Sequence, residues 1–527
     1  MKSTDQCDKQ KKNVKTTLTR RVLLLLFFQS LLALPQNNLE DIDLRYGPYE
    51  VGFRHYTLQD STRTYQIKNE FNNSFIPRPI PVSIWFPADR NNNDTESLKV
   101  LDYLNILKTE EEWTHLPNEF LLDWFSYLWN TEHNKAQLSK HTKALKNGQV
   151  VNRKFPVIVY APSYQASSIE NFALCEYLAS HGHMVISSPS RGTDTRQLDG
   201  GTTRDMETQS TDIAFLLKEI QKHQSADFDK TALMGFSFGG LSNFITAIKN
   251  KNIKAVVSLD GTERYNYPVL EGSPFFNLKK FTIPYIHFAQ KEIPKAVLET
   301  DGIPQEVNHK FQLMDSLTYS EVHSYRFHDL THSYFSTFGL LFTNRDKRQD
   351  KDDSKIARSY KLLCEHTLHF LDAIFKKDAN AIRFIENSPI DNGYTKSLVS
   401  KRFKMAITKA FDYLDFNDLA KGQNYRDLVP LYQNLMRQHP QLKLEEGMLN
   451  TLGLRLSFDP ERMDQGINVF KLALHIYPNS ANLYDSLAEA YLYKKDFKNA
   501  MTNFKKSLEL NPANENAKKR IGQIKKQ

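Results

Sequence analysis

The sequence predicts an α/β protein, a mostly parallel central sheet followed by a C-terminal domain built only of helices. Three observations carry this. Between residues 155 and 376, short apolar runs alternate with longer amphipathic ones, the pattern of a parallel sheet covered on both faces. Around residues 387–391 (N-S-P-I-D) the pattern changes, and the remainder of the chain reads as helix. A length of 527 residues asks for two or three domains rather than one.

Composition removes several classes. Hydrophobic residues make up 40% and aromatics 12%, enough for a sizeable core and too much for a disordered chain. A mean hydropathy of −0.54 excludes a polytopic membrane protein. Three cysteines, of which Cys7 lies in the N-terminal segment, exclude a disulfide-built scaffold; the pairing of Cys175 and Cys364 stays open. The net charge of +8 is unevenly spread: residues 1–21 carry +5 and residues 494–526 carry +7, which leaves a body of about −4. A mildly acidic body without an aromatic RNA-binding motif or a zinc-finger spacing excludes a nucleic-acid partner.

Taken in order, residues 1–36 form a targeting segment. Arg20-Arg21 precedes the run V-L-L-L-L-F-F-Q-S-L-L-A-L, and Pro35-Gln36 ends it, as in a secretory signal peptide. That run of about 13 residues falls short of the roughly 20 that span a bilayer. No A-x-A site precedes Gln36, so an uncleaved anchor, with membrane contact only in that case, is the alternative. No cysteine comes after the run to carry a lipid. Export to the periplasm or the exterior is the expectation.

Residues 37–389 form the sheet domain. Residues 46–88 are β-rich. Residues 101–145 read as a helical insertion bearing Trp113, Trp124 and Trp129, a candidate lid or plain core. Strands are expected at 155–160, 183–187, 230–234, 255–259, 284–289 and 324–327, and helices at 169–180, 206–222, 241–249 and 355–376. Residues 390–419 read as a helical linker and 420–527 as helical repeats. From Ala481, the positions of Tyr484, Leu487, Ala488, Tyr491, Ala500, Phe504, Ser507 and Pro512 match the tetratricopeptide pattern. Thirty-four residues upstream of the last four, Gly466, Phe470, Ala473 and Pro478 repeat its second helix, and residues 432–440 form a weaker half-repeat.

The chemistry gathers around Gly235-Phe236-Ser237-Phe238-Gly239-Gly240, where a strand (K-T-A-L-M) runs into a helix. This is the nucleophile elbow, G-x-S-x-G, of an α/β-hydrolase fold. A serine on so tight a turn has strained angles, and flanking glycines prevent collision. Its hydroxyl needs a base, and the base needs an acid, in chain order Ser, acid, His. Asp260 ends the next strand, A-V-V-S-L-D-G; Glu292, after P-Y-I-H-F-A, is the alternative acid and Asp315 a remoter one. Among His323, His328 and His332, the last lies just beyond the final strand and is the expected base, with His328 in reserve. The oxyanion asks for two backbone N–H donors. Phe238 comes directly after the nucleophile; in the loop Pro162-Ser163-Tyr164-Gln165, proline has no N–H, which points to Tyr164.

Together these residues resemble the platelet-activating-factor acetylhydrolase-like and bacterial dienelactone-hydrolase-like branch of α/β-hydrolases. The resemblance covers residues 46–389 through G-P-Y-E-V-G-F, P-V-S-I-W-F-P-A, L-A-S-H-G-H-M-V, G-F-S-F-G-G, and His332 with Phe335 three residues later. It implies Asp260 as the acid and backbone donors at Phe238 and Tyr164. Pro162-Ser163 stands where that family usually has His-Gly, and Ser237 where true dienelactone hydrolases have cysteine, so their substrate is not implied. The expected activity is hydrolysis of carboxylic esters on small or lipid-like substrates, without a metal or organic cofactor. A peptidase or acyltransferase on the same triad is one alternative. The other is a binding module whose repeats recruit a protein partner beside an inactive hydrolase domain.

Overall fold

The computed structural model describes residues 39–68, 71–89, 96–125, 128–342 and 353–526. The targeting run and Cys7 lie outside them. Among the described residues, no helix is long and apolar enough to cross a membrane. The chain divides into two compact units, Met1–Ile407 and Thr408–Gln527.

The first unit is built on one sheet. Its strands are β1 (Glu50–Lys68), β2 (Asn73–Ala88), β3 (Ser97–Lys99), β4 (His141–Leu145), β5 (Phe155–Ala161), β6 (Met184–Ser187), β7 (Ala226–Phe236), β8 (Ile253–Leu259), β9 (Tyr285–Ala289), β10 (Val322–Phe327) and β11 (Val399–Lys404). They run in the order β11-β10-β9-β8-β7-β5-β6-β2-β1-β4-β3. From β6 across to β10 every pair is parallel, whereas β2 lies antiparallel to β6 and to β1. This strand order, with its antiparallel β2 beside the parallel run, defines the α/β-hydrolase fold.

The parallel strands read as continuous apolar runs because both faces are covered. In β5, Ile158 and Tyr160 join Met234, Val257 and Ile286 in a core shared with α2 (Phe172–Ser180) and α5 (Asp353–Phe375). The alternate residues Val157 and Val159 join Leu233, Val256 and Tyr285 under α3 (Thr203–Ile220) and α4 (Phe238–Lys249). Between β3 and β4 lies α1 (Val100–Glu110). Helix α3 starts on a capping box: Thr202 Oγ1 accepts the Asp205 N–H, and the Asp205 carboxylate accepts the Thr202 N–H at 3.0 Å.

Three expectations need correction. Residues 399–404, expected within a helical linker, form β11, antiparallel to β10. The edge of β10 would otherwise offer unpaired N–H and C=O groups, and that non-local demand overrides local propensity. The insertion at 101–145 is only partly helical, since it ends in β4. Its tryptophans are not core: Trp113, Trp124 and Trp129 are 42%, 49% and 37% exposed. Cys175 and Cys364 are both buried as free thiols.

The second unit is all-helical: α6 (Tyr413–Gly422), α7 (Leu428–Gln438), α8 (Glu446–Ser457), α9 (Met463–Ile476), α10 (Ala481–Tyr493), α11 (Phe497–Leu510) and α12 (Glu515–Ile524). Small residues set how closely these helices pack. A Cβ on Gly453 would sit 2.7 Å from the Phe470 ring, and one on Gly466 2.6 Å from the Gly453 carbonyl oxygen, so α8 and α9 nearly touch there. Ala488, Ala500, Phe504 and Ala517 form the corresponding core of α10–α12.

Candidate active site

Ser237 sits between β7 and α4 with φ 53° and ψ −117°, a backbone state that L-residues avoid. The surroundings enforce it. The Ser237 N–H donates to the Leu259 carbonyl at 3.1 Å, and its own carbonyl accepts from Gly240 at 3.0 Å and Thr262 at 2.9 Å. A Cβ on Gly239 would fall 2.1 Å from the Ala161 carbonyl oxygen, and one on Gly235 2.5 Å from Asn243 Nδ2. Only glycine fits on either side of the serine.

The Ser237 hydroxyl meets His332 Nε2 at 2.9 Å, and His332 Nδ1 meets Asp260 Oδ2 at 2.6 Å. Asp260 leaves β8 with φ 44° and is fully buried. Its Oδ1 accepts from the Tyr265 hydroxyl at 2.6 Å and from the Gln290 N–H at 3.0 Å. Burial opposes ionisation here, yet the hydrogen bond and charge of His332, helped by Arg264 and Tyr265, hold Asp260 below the ordinary carboxylate range. An ionised Asp260 on Nδ1 fixes the proton there and leaves Nε2 free to accept one from Ser237. Gln290 also accepts the His332 N–H at 3.2 Å, and the Phe236 ring lies 5.0 Å from the imidazole.

The loop after β5 is anchored beside the start of α4. The Pro162 carbonyl accepts from Gln209 at 3.0 Å, and Gln209 accepts from Ser242 of α4 at 2.6 Å. Buried Glu170 accepts both the Ser163 N–H at 2.9 Å and the Ser163 hydroxyl at 2.6 Å. Burial raises its carboxyl above the ordinary range, although hydrogen bonds from Ser163 and Tyr160 work the other way. The rings of Tyr164 and Phe238 meet edge-to-face at 5.9 Å, and Tyr164 lines the same cavity as Ser237.

This cavity, of about 620 Å³, also holds His332. Leu107, Trp113, Trp124, Leu128 and Phe338 supply apolar wall. Trp113 and Trp124 cross at 4.4 Å between ring centroids. An ion pair of Arg196 with Glu111 stands in the same wall.

The structure brings Ser237, Asp260 and His332 together and leaves the reserves elsewhere. Glu292 lines a different cavity with Pro294 and Lys295. His328 Nε2 lies 3.1 Å from the Ser400 hydroxyl, His323 pairs with Glu321, and Asp315 pairs with Arg402. Sequence reasoning missed Glu170, Tyr265 and Gln290. Each is a single polar residue without a spacing signature; Gln290 alone had a cue, its place directly after β9. Among the described residues, no group of three or more His, Cys, Asp or Glu is placed to hold a metal ion.

No family model matches this chain, and no curated protein matches it either. Among solved structures it is similar to a ferulic acid esterase from Streptomyces cinnamoneus, at 16% identity and a TM-score of 0.45, covering 63% of this chain and 92% of that one. The strand order, rather than this likeness, defines the fold.

Proposed function

We propose that this chain is an exported serine hydrolase that cleaves carboxylic esters through an acyl-enzyme on Ser237. The observation that carries the reading is the hydrogen-bonded chain from Ser237 through His332 to buried Asp260, next to a cavity with apolar walls. His332 Nε2 takes the Ser237 proton as the oxygen attacks the acyl carbon. The resulting oxyanion is held by the backbone N–H groups of Phe238 and Tyr164, each worth about 10²–10³ in rate. Collapse breaks the ester C–O bond, and His332 returns the proton to the leaving alkoxide. Water, deprotonated by the same histidine, then releases the carboxylic acid.

The residues about the cavity favour acyl groups with apolar surface. The C-terminal unit is read as tetratricopeptide-type repeats that take a protein partner, supported by the 34-residue offset between α9 and α11. Export rests on the N-terminal run alone and is checked by N-terminal sequencing of the mature chain.

Hydrolysis of p-nitrophenyl esters from acetyl to long acyl chains, with wild type beside Ser237→Ala, tests the activity. The reading expects turnover that vanishes in the variant, with a chain-length profile set by the cavity. A folded wild type without turnover on any ester contradicts it.

A further inference from the structure

A second cavity, of about 280 Å³, lies at the β10–β11 end of the sheet and is lined by none of Ser237, Asp260 and His332. The two strands pair with Ser324 opposite Arg402 and Arg326 opposite Ser400. Residues two apart on a strand share a face, so two arginines and two serines stand diagonally on one patch. Arg264, from the turn after β8, and the loop 307–310 line the cavity as well, and His328 joins them. Among the described residues, no carboxylate lines this cavity.

The guanidinium groups are incompletely neutralised. Arg402 pairs with Asp315 at 3.1 Å. Arg326 and Arg264 donate instead to backbone carbonyls, of Asn308 and of Val307 respectively. Arg264 has a side chain only 4% exposed, and its Nη1 has no hydrogen-bond acceptor. Its nearest carboxylate, Asp260 at 4.0 Å, is already engaged by His332, Tyr265 and Gln290. Glu292 and Asp260 attract Arg326 only at longer range, while burial and then the neighbouring Arg264 push its guanidinium below the ordinary range. A neutral hydroxyl–imidazole contact, His328 with Ser400, adds polar atoms without adding a counterion.

We propose that this cavity binds a phosphate group, free or carried on a small phosphomonoester, through Arg264, Arg326 and Arg402 and the hydroxyls of Ser324 and Ser400. A single carboxylate needs one fork of donors. Here donors converge from a turn and two strands, which suits an oxyanion with acceptors on several sides. The site also depends on β11, so it belongs to the sheet unit as folded and not to the helical one.

Isothermal titration of the full chain with inorganic phosphate and with glycerol 3-phosphate, at constant ionic strength, tests this. The expected result is saturable one-site binding of at least one of them, and the tighter of the two tells whether the group is taken free or on an ester. Arg402→Gln and Ser400→Asp both change exposed positions, and each should weaken binding by about tenfold or more. Unchanged melting curves and unchanged fluorophosphonate labelling of Ser237 control for folding. Absence of saturable binding of either ligand up to about 10 mM overturns the proposal. So does binding in either variant that stays within about threefold of wild type.

Discussion

Among the described residues that take a positive φ, two sets make opposite use of it. In the sheet unit, Ser237 and Asp260 take φ of 53° and 44° at the ends of adjacent strands, and both side chains hydrogen-bond to His332. In the helical unit, Asn424, Tyr425 and Lys495 take the same sign of φ in the turns between α6 and α7 and between α10 and α11. The second set only reverses the chain. In the first, strain is held by glycines that cannot grow a side chain and by backbone bonds between strands, and it aims two functional groups at one imidazole. Strain that orients side chains needs an over-determined surround; strain that turns a chain does not.

The largest effects should come from breaking the hydrogen-bonded chain. Ser237→Ala or His332→Ala should lower kcat for ester hydrolysis by about 10⁴–10⁶. Asp260→Asn should cost about 10⁴, because the asparagine amide favours the wrong imidazole tautomer. Steady-state kinetics on a p-nitrophenyl ester reads all three, and losses below tenfold would mean that the geometry is not catalytic.

Next in size is Glu170→Ala, which removes both acceptors that hold Ser163. The Tyr164 N–H should drift from the oxyanion, and kcat should fall by about 10² with KM little changed. An equal rise in KM and no loss of kcat would assign Glu170 to the cavity wall instead.

In the helical unit the sensitive property is packing. Gly453→Ala should destabilise that unit by about 1–3 kcal/mol, because the new methyl meets the Phe470 ring. Ester hydrolysis should stay at the wild-type rate, since Gly453 packs on Phe470 in the helical unit whereas Ser237, Asp260 and His332 belong to the sheet unit. Urea unfolding monitored by circular dichroism, with activity in parallel, separates the two.

The smallest effect is acid stability. A carboxyl whose folded pKa lies below its unfolded value of 3.8 adds stability above that pH and loses it as pH falls through the folded value. Asp260 is such a group. Wild type should therefore lose urea resistance more steeply below about pH 4 than Asp260→Asn does. Parallel slopes would mean that Asp260 gains nothing from its partners on folding.

Much of this arrangement was legible because the residues concerned come after strands in chain order. The elbow around Ser237, Asp260 after A-V-V-S-L and His332 beyond S-Y-R-F each carry a local signal. The parts that escaped depend on contacts distant in sequence. Strand β11 (V-S-K-R-F-K) has one buried residue and three cations, so nothing local marks it as a strand; β10 does. Tyr265 and Gln290 are ordinary polar residues until the sheet brings them to Asp260. The tryptophans of the insertion read equally as lid or as core, and only packing exposes them.

The most direct test is intact-mass and peptide mapping after treatment with a fluorophosphonate, on wild type and on Ser237→Ala. One adduct per chain, on the peptide carrying Ser237 and absent from the variant, is the predicted result. No adduct on a folded wild type, or an adduct that persists in Ser237→Ala, would contradict the assignment of Ser237 as the nucleophile.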